Sequence, residues 1–272
     1  MPFLAARASS AAQATILGAP FDATATHRAG ARWAPAAIRW ASDALESYSP
    51  VQQRDLQEVQ LADAGDLDLT GADAAQAVER VRAAVAAVSG LPVLLGGEHT
   101  VTVGAVGALL DRHADLGLVV VDAHLDLRDD YLGARWSHAT TLARILDRMA
   151  GDRIVVVGAR AGTREEWARA AGLLAVAPTG RLPQRVWAAL ADRPLYLSVD
   201  IDGLDPAHAP GTGNPEPLGL AVDDVVSLVS VLRQGRVVGC DLVEVSPPFD
   251  PGGRTAMLAA WLVREMILAF AR

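Results

Sequence analysis

Short apolar runs alternate with longer amphipathic stretches along nearly the whole chain. Two of these runs, Leu116–Val121 and, after its first residue, Arg153–Val157, are continuously apolar rather than alternating in polarity. Continuous apolar runs are typical of parallel strands, because helices cover both faces of a parallel sheet. The alternation therefore predicts an α/β fold of the doubly wound, three-layer kind, with helices on both sides of a mainly parallel sheet.

The predicted elements fill the chain without an internal repeat or a low-complexity linker. The predicted strands are Ala14–Leu17, Pro92–Leu95, Leu116–Val121, Arg153–Val157, Leu173–Val176, Leu195–Val199 and Val237–Val245. The predicted helices are Pro35–Leu45, Ala72–Val88, Val101–Arg112, Thr140–Met149, Thr163–Ala171, Gln184–Ala191, Val222–Leu232 and Thr255–Ala271. At 272 residues and 51% hydrophobic, the chain can bury one large core, so we expect a single domain over residues 1–272. The Pro/Gly-rich stretch Asp205–Leu218 is expected to be a long loop beside the functional site.

Composition narrows the classes of function. A formal net charge of -8 argues against nucleic-acid binding, which needs a basic surface. The single cysteine, Cys240, excludes an internal disulfide and a thiolate-rich zinc site. All 24 basic residues are arginine, which excludes Schiff-base chemistry on lysine. We find no signal peptide and no run of about 20 apolar residues, and we expect a cytoplasmic protein without a membrane partner.

Acidic residues and histidines cluster at the ends of four predicted strands. They occur in the segments LLGGEH, VVVDAHLD, LSVDID and LVEVSPP. The carboxyl ends of parallel strands meet at one edge of the sheet, where open α/β folds bind their ligands. The sequence therefore predicts that these side chains converge on one site.

The converging side chains have the composition of a metal centre. The candidate ligands are His99, Asp122, His124, Asp126, Asp200 and Asp202. Alternate residues of an extended segment point the same way, so the members of each cluster can face one cavity. Four aspartates without cations would repel one another. Oxygen ligands with two imidazoles and no sulfur favour Mn²⁺ over a structural zinc, and four carboxylates suit two ions about 3.5–4 Å apart. His99 follows the pair Gly96–Gly97, where we expect an unusual backbone conformation and a close backbone approach.

Several motifs resemble those of the arginase/agmatinase (ureohydrolase) family. GGEHT, DAHLD and SVDIDGLDPAHAPGTGNPEP are similar to its three metal-binding signatures. GAPFD, RAGARWAPAAIR, DAGD and DLVEVSPPFD match its other motifs in the right order, so the resemblance covers nearly the whole chain. It implies a three-layer αβα sandwich around a mainly parallel sheet of about eight strands. It also implies two Mn²⁺ per chain and assembly into a trimer or hexamer.

The resemblance also implies roles for individual residues. One Mn²⁺ would be held by His99, Asp122, Asp126 and Asp200, and the other by His124, Asp122, Asp200 and Asp202. Asp126 would also hydrogen-bond the attacking hydroxide. His138, in the WSHATT segment, would shuttle a proton to the leaving amine, although a helix-capping or surface role stays open. Glu244 would pair with the planar guanidinium, although a structural role stays open.

The stretch after DAHLD bears on the substrate. In arginases this stretch contains Asn and Ser or Thr, which bind the amino-acid end of arginine. Leu127–Trp136 contains none of these and instead offers Asp129, Asp130 and Tyr131, which suit a distal ammonium. We therefore predict a small cationic guanidino substrate, agmatine, hydrolysed to putrescine and urea.

Alternatives to agmatine and to catalysis stay open. Arg128 could clamp a carboxylate if it points inward, and it could instead pair with Asp129 or Asp130 on the surface. Aminopropyl-agmatine, guanidinobutyrate and arginine are the alternative substrates. A single-zinc deacylase and a non-catalytic family member are the alternative classes.

Overall fold

The computed structural model describes residues 1–9 and 11–272, so Ser10, within the N-terminal segment considered for a signal peptide, lies outside it. Over these ranges the strands are β1 (Ala14–Ala19), β2 (Tyr48–Ser49), β3 (Arg54–Asp55), β4 (Leu61–Asp66), β5 (Leu91–Gly96), β6 (Gly117–Val121), β7 (Ile154–Val157), β8 (Ala175–Ala177), β9 (Pro194–Asp200) and β10 (Arg236–Val243). The α-helices are α1 (Ala34–Ser42), α2 (Ala74–Ala87), α3 (Val101–Arg112), α4 (Thr141–Leu146), α5 (Arg164–Ala170), α6 (Gln184–Leu190), α7 (Val222–Leu232) and α8 (Arg254–Phe270). Each predicted helix is confirmed, with ends shifted by a few residues at most.

The main sheet is parallel throughout the residues described. Its strand order is β4-β1-β5-β10-β9-β6-β7-β8, and each neighbouring pair is parallel. Strands β5, β10, β9 and β6 are neighbours at its centre. These are the four strands whose carboxyl ends carry the predicted ligands and Glu244, so the predicted convergence follows directly from the strand order.

Side chains of the central strands pack into two apolar layers, one on each face of the sheet. In β6, Val119 and Val121 pack on one face of the sheet, and Leu118 and Val120 pack on the other. Helices α1, α7 and α8 cover the first face, and α2, α3 and α4 cover the second. This arrangement confirms the three-layer αβα sandwich. In the part of the chain that the structure describes, no helix is long and apolar enough to cross a membrane.

Strand β4 was not predicted from the sequence. It spans LADAGD and lies at the edge of the sheet, beside β1. Only Leu61 is buried in it, so the strand lacks the apolar pattern that identifies the others. Its pairing with β1 is also irregular between Ile16 and Gly18.

A buried ion pair attaches β4 to α1. The Arg39 guanidinium donates to Asp63 from Nε at 2.8 Å and from Nη2 at 2.9 Å, and it also contacts Asp66. Burial raises the pKa of Asp63, but hydrogen bonds from Arg39, Gly65 and Phe3 outweigh burial and lower that pKa below its ordinary 3.8. The pair takes the place of apolar packing at this edge.

We expect Arg39→Met to lower the free energy of unfolding by about 3–5 kcal/mol at neutral pH, because it leaves a buried carboxylate without its cation. A carboxyl group with a lowered pKa stabilises the fold above its ordinary pKa and loses this contribution as the pH falls through the folded-state value. The difference from the wild type should therefore shrink below pH 3.8. Denaturant titration at neutral pH and below pH 3.8 measures the free energy of unfolding of both proteins.

The matched control is Arg135→Met. Arg135 pairs with Asp147 on the surface, with side chains 61% and 44% exposed. Removing an exposed pair should cost less than about 1 kcal/mol. Equal losses in the two variants would contradict a structural role for the buried pair.

Candidate active site

The predicted ligands form two groups that share Asp122, and all of them are buried except His124, whose side chain is 28% exposed. In the first group, His99 Nδ1 lies 3.1 Å from Asp122 Oδ2, 3.2 Å from Asp126 Oδ2 and 3.4 Å from Asp200 Oδ2. In the second, His124 Nδ1 lies 3.0 Å from Asp202 Oδ2 and 3.6 Å from Asp122 Oδ1. Within each of the sets His99–Asp122–Asp126 and Asp122–His124–Asp202, the ligand atoms lie within 4.8 Å of one another. The structure thus brings together the six candidate metal ligands that the sequence selected.

Hydrogen bonds fix the orientation of the His99 ring. Its Nε2 lies 3.1 Å from Ser198 Oγ, which donates to Asp241 Oδ1 at 2.6 Å. Asp241 Oδ2 accepts from Tyr196 OH and Thr102 Oγ1 at 2.7 and 2.8 Å. Because the Ser198 proton goes to Asp241, Ser198 accepts from His99 Nε2–H, and in the neutral imidazole Nδ1 carries the lone pair.

That lone pair makes the donor set fit a metal. Nδ1 of His99 and Oδ2 of Asp122 are buried and have no hydrogen-bond partner among the described residues. Two acceptors that face each other at 3.1 Å need a positive charge between them or beside them. A divalent cation would supply that charge, and an oxygen-rich set with two imidazoles is of the kind that suits Mn²⁺.

The electrostatics of the cluster point the same way. Burial and the neighbouring carboxylates Asp202 and Asp122 raise the pKa of Asp200 well above its ordinary value. Burial and the charge of Asp122 raise the pKa of Asp126 to about 7. Without cations, these carboxylates would therefore take up protons to relieve their repulsion.

Glycines allow the chain to approach itself closely before His99. A side chain at Gly97 would collide with the backbone of Phe21, and one at Gly96 would collide with Val243. The predicted close backbone approach is therefore present at Gly97, whereas at Gly96 a side chain packs against the backbone. The predicted unusual conformation is absent at both positions, because neither residue has a positive φ. The positive φ values near the site instead belong to Asp126, at 49°, and Glu244, at 64°.

The cluster opens into a cavity of about 350 Å³, which is the size range of small-molecule sites. Glu244 lies on its wall and is buried. Its Oε1 accepts from the backbone N–H of His99 at 2.7 Å, whereas Oε2 accepts nothing from the residues described and is free for a ligand. Its own N–H donates to Gly97 O at 2.8 Å, which fixes the carboxylate relative to the cluster.

His138 and Tyr131 face each other on the cavity wall. Their rings meet edge to face, with centroids 5.7 Å apart. His138 begins a short 3₁₀ turn capped by Ser137. Burial and the nearby His124 and His99 lower the pKa of His138 to about 4.

The structure does not bring Asp129 and Asp130 to the cavity. Asp129 is 76% exposed and pairs with Arg169 at 2.8 Å and with Arg144 at 3.3 Å. The Asp130 carboxylate accepts from the Gly133 N–H and stabilises the tight turn there. Of the three substrate-binding residues predicted from the loop, only Tyr131 lines the cavity. The loop reverses between Tyr131 and Ala134, so neighbouring side chains diverge.

Arg128 does line the cavity, but it is already engaged. Its Nε lies 3.4 Å from Glu166 Oε2, and its guanidinium lies 4.9 Å from the centre of the Tyr131 ring. Glu166 in turn accepts from the backbone N–H of Thr163 and of Leu127. The partner of Arg128 is therefore neither of its sequence neighbours Asp129 and Asp130.

The sequence singled out neither Glu216, which lines the cavity, nor Arg160, which binds the backbone of that wall. Glu216 lies on the wall, with its carboxylate 4.0 Å from His124 Nε2. Arg160 holds this wall in place: its guanidinium donates to the backbone carbonyls of Asp202, Gly203, Glu216 and Pro217 at 2.8–3.0 Å. Glu216 lies in the motif GTGNPEP, from which it could have been predicted as a site residue. No sequence feature distinguishes Arg160 from the other basic residues, of which the chain has 24 in all.

Comparisons with known proteins agree with the motifs. The sequence model of the arginase family matches residues 12–269 of this chain. An agmatinase of Bacillus cereus is 38% identical, over 94% of this chain and 91% of that protein. A guanidinobutyrase of Pseudomonas aeruginosa is 35% identical, over 94% of this chain and 86% of that protein. The crystal structure of the agmatine ureohydrolase of Thermoplasma volcanium matches with a TM-score of 0.91 at 37% identity, over 98% of this chain and 93% of that one.

We expect Mn²⁺ to raise the melting temperature of the metal-free protein. Binding to the folded state alone at about 100 times the dissociation constant adds about 2.7 kcal/mol, which corresponds to roughly 5–10 °C for a chain of this size. In Asp122→Asn, which alters the side chain shared by both groups, the rise should largely disappear. Asp223→Asn, on the exposed start of α7, is the control and should respond like the wild type. An equal rise in Asp122→Asn would contradict the metal site.

Proposed function

This chain belongs to the arginase family, and on that premise we propose that it is a binuclear manganese amidinohydrolase that hydrolyses agmatine to putrescine and urea. As a member of this family it is a hydrolase of C–N bonds in guanidino compounds. The observation that carries the proposal is the free Glu244 Oε2, which shares one cavity with the ligand cluster.

The ligand set would divide between the two ions as the motifs imply. His99, Asp122, Asp126 and Asp200 would hold one ion, and His124, Asp122, Asp200 and Asp202 the other. When bound, the two cations would acidify water near neutral pH and so supply the nucleophile. The protein contributes the remaining steps through its own side chains.

Glu244 would hold the guanidinium, because a carboxylate with one oxygen fixed presents the other to a planar cation. Asp126 would orient the attacking water by hydrogen bonding. His138 would carry a proton to the leaving amine, since attack on the guanidinium carbon gives a tetrahedral intermediate whose amine must be protonated before it leaves. Tyr131 packs against His138 and would line the path of the substrate chain.

The charges on the cavity wall favour a substrate with a cationic tail. Beyond the metal ligands, the wall carries the carboxylates of Glu166, Glu216 and Glu244 and one guanidinium, that of Arg128. Arg128 is paired with Glu166, so the wall keeps an excess of negative charge. Agmatine carries an ammonium at the end of its chain, and the Bacillus cereus and Thermoplasma volcanium relatives bear names that specify agmatine hydrolysis.

A guanidino acid is the second candidate substrate, and the position of Arg128 supports it. Arg128 is 38% exposed and lies on the cavity wall, where it could exchange Glu166 for the carboxylate of guanidinobutyrate. The Pseudomonas aeruginosa relative is named for that substrate.

We propose one domain that assembles as a trimer or hexamer in the cytoplasm. Trp33 and Trp40, 59% and 71% exposed at α1, support a subunit contact, since large exposed apolar side chains mark interaction surfaces. Sedimentation equilibrium distinguishes monomer, trimer and hexamer.

The decisive experiment is a urea assay after incubation with Mn²⁺, with agmatine, aminopropyl-agmatine, guanidinobutyrate and arginine as substrates. We expect agmatine to give the highest kcat/KM. A preference for guanidinobutyrate that Arg128→Met abolishes would establish the second candidate instead. Absence of urea from every compound would contradict the proposed function.

Glu244→Gln should reduce kcat/KM for agmatine by about 100-fold, because a charge-assisted pair is replaced by a neutral hydrogen bond. Its Mn²⁺-induced rise in melting temperature should persist, since Glu244 is not among the ligands. Steady-state kinetics and thermal denaturation measure the two properties. Glu58→Gln, on an exposed 3₁₀ turn, is the control, and near-normal kcat/KM in Glu244→Gln would contradict guanidinium binding by Glu244.

A further inference from the structure

Another buried carboxylate, next in sequence to the candidate ligand His99, lies outside the ligand set. Glu98 is 1% exposed and forms no ion pair within the residues described. Its Oε2 accepts from the Thr24 N–H at 2.8 Å, and its Oε1 accepts from the hydroxyls of Thr24 and Thr100 at 2.5 and 2.7 Å. Three donors therefore converge on this one acceptor.

The Thr24 hydroxyl joins Glu98 to His138. Thr24 Oγ1 accepts from the His138 backbone N–H at 3.2 Å and lies 3.3 Å from the ring atom Nδ1. A hydroxyl has one proton to donate, and the shortest contact of Thr24 assigns it to Glu98. Toward the imidazole, Thr24 can therefore only accept.

This direction decides where the imidazole carries its proton. An unprotonated Nδ1 would place its lone pair against the lone pairs of Thr24 Oγ1. A protonated Nδ1 donates to Thr24 and can also face Ser137 Oγ, the more distant oxygen at 3.4 Å. In a neutral imidazole, a proton on Nδ1 leaves Nε2 as the base.

We infer that Glu98 and Thr24 are positioning residues that hold His138 in the tautomer with its proton on Nδ1. Nε2 of this cavity-lining ring is then free to take up a proton and to pass it to the leaving amine. Thr24 remains an acceptor in both protonation states, so the ring does not have to turn between them. The catalytic meaning of this arrangement rests on the proposed function, whereas the tautomer itself does not.

The backbone around Glu98 is built to bring these groups together. The absence of a side chain at Gly97 lets the Glu98 N–H donate to Phe21 O at 2.7 Å. That bond draws the loop after β1, which carries Thr24, against the turn after β5. His138 then packs on Thr24 from the other side, at the start of its own 3₁₀ turn.

The first test compares Thr24→Val with Thr24→Ser in the Mn²⁺-loaded enzyme. Valine removes the hydroxyl at nearly constant shape, and kcat for agmatine should fall by about 10–100-fold, within the range of general acid–base catalysis. KM should change less than about threefold. Serine keeps the hydroxyl and should restore kcat to within about threefold of the wild type. An unchanged kcat in Thr24→Val would overturn the inference.

A double-mutant cycle separates positioning from a general structural effect. In a His138→Asn background, Thr24→Val should cause no further loss of kcat, because the group on which it acts is gone. An equal loss in both backgrounds would overturn the inference.

The second test determines the tautomer of His138 directly and needs no activity measurement. In the metal-free full chain labelled with ¹⁵N-histidine, the ring nitrogen shifts of His138 should show the proton on Nδ1. In Glu98→Gln, the amide would donate to the Thr24 hydroxyl, which would then donate to Nδ1, so the proton should move to Nε2. A wild-type proton on Nε2 would overturn the inference. Failure of urea release with the proton on Nδ1 would count against the proposed function and leave the positioning intact.

Discussion

The repulsion among buried carboxylates is the constraint around which this structure is organised. Asp122, Asp126, Asp200 and Asp202 share a site in which they are at most 7% exposed. Their separation is held by the centre of the sheet, where four adjacent parallel strands cannot slide without disturbing both apolar layers. The packing free energy of the fold therefore offsets the repulsion between these carboxylates. Bound cations would remove that repulsion, which would favour metal binding.

Two imidazoles at the site are oriented by the same kind of chain, in which a hydroxyl lies between a buried carboxylate and the ring. His99 is oriented by the Ser198 hydroxyl, whose proton goes to the buried Asp241. His138 contacts the Thr24 hydroxyl, whose proton goes to the buried Glu98. In each case a hydroxyl between a carboxylate and a ring makes the ring a donor at one nitrogen and a base at the other, without placing a full negative charge against it.

The parts of the site that could be predicted from the sequence are those set by short-range geometry. Alternate spacing and strand ends identified the candidate ligands, because both follow from the pleat and the parallel order. The edge strand β4 lacks an apolar pattern, and the turn at Tyr131 sends Asp129 and Asp130 away from the cavity. Arg160 could not be found from the sequence, because it binds backbone carbonyls that depend on tertiary packing.

The left-handed backbone at Asp126 and Glu244 has a consequence for evolution and for engineering. An L-residue held in that region costs on the order of 1–3 kcal/mol, and both positions carry charges that burial disfavours. Glycine or asparagine there would relax the chain while removing the chemistry. Under the roles proposed for them, selection for thermal tolerance alone would favour inactive, more stable descendants, and only selection for turnover would keep these two residues in place.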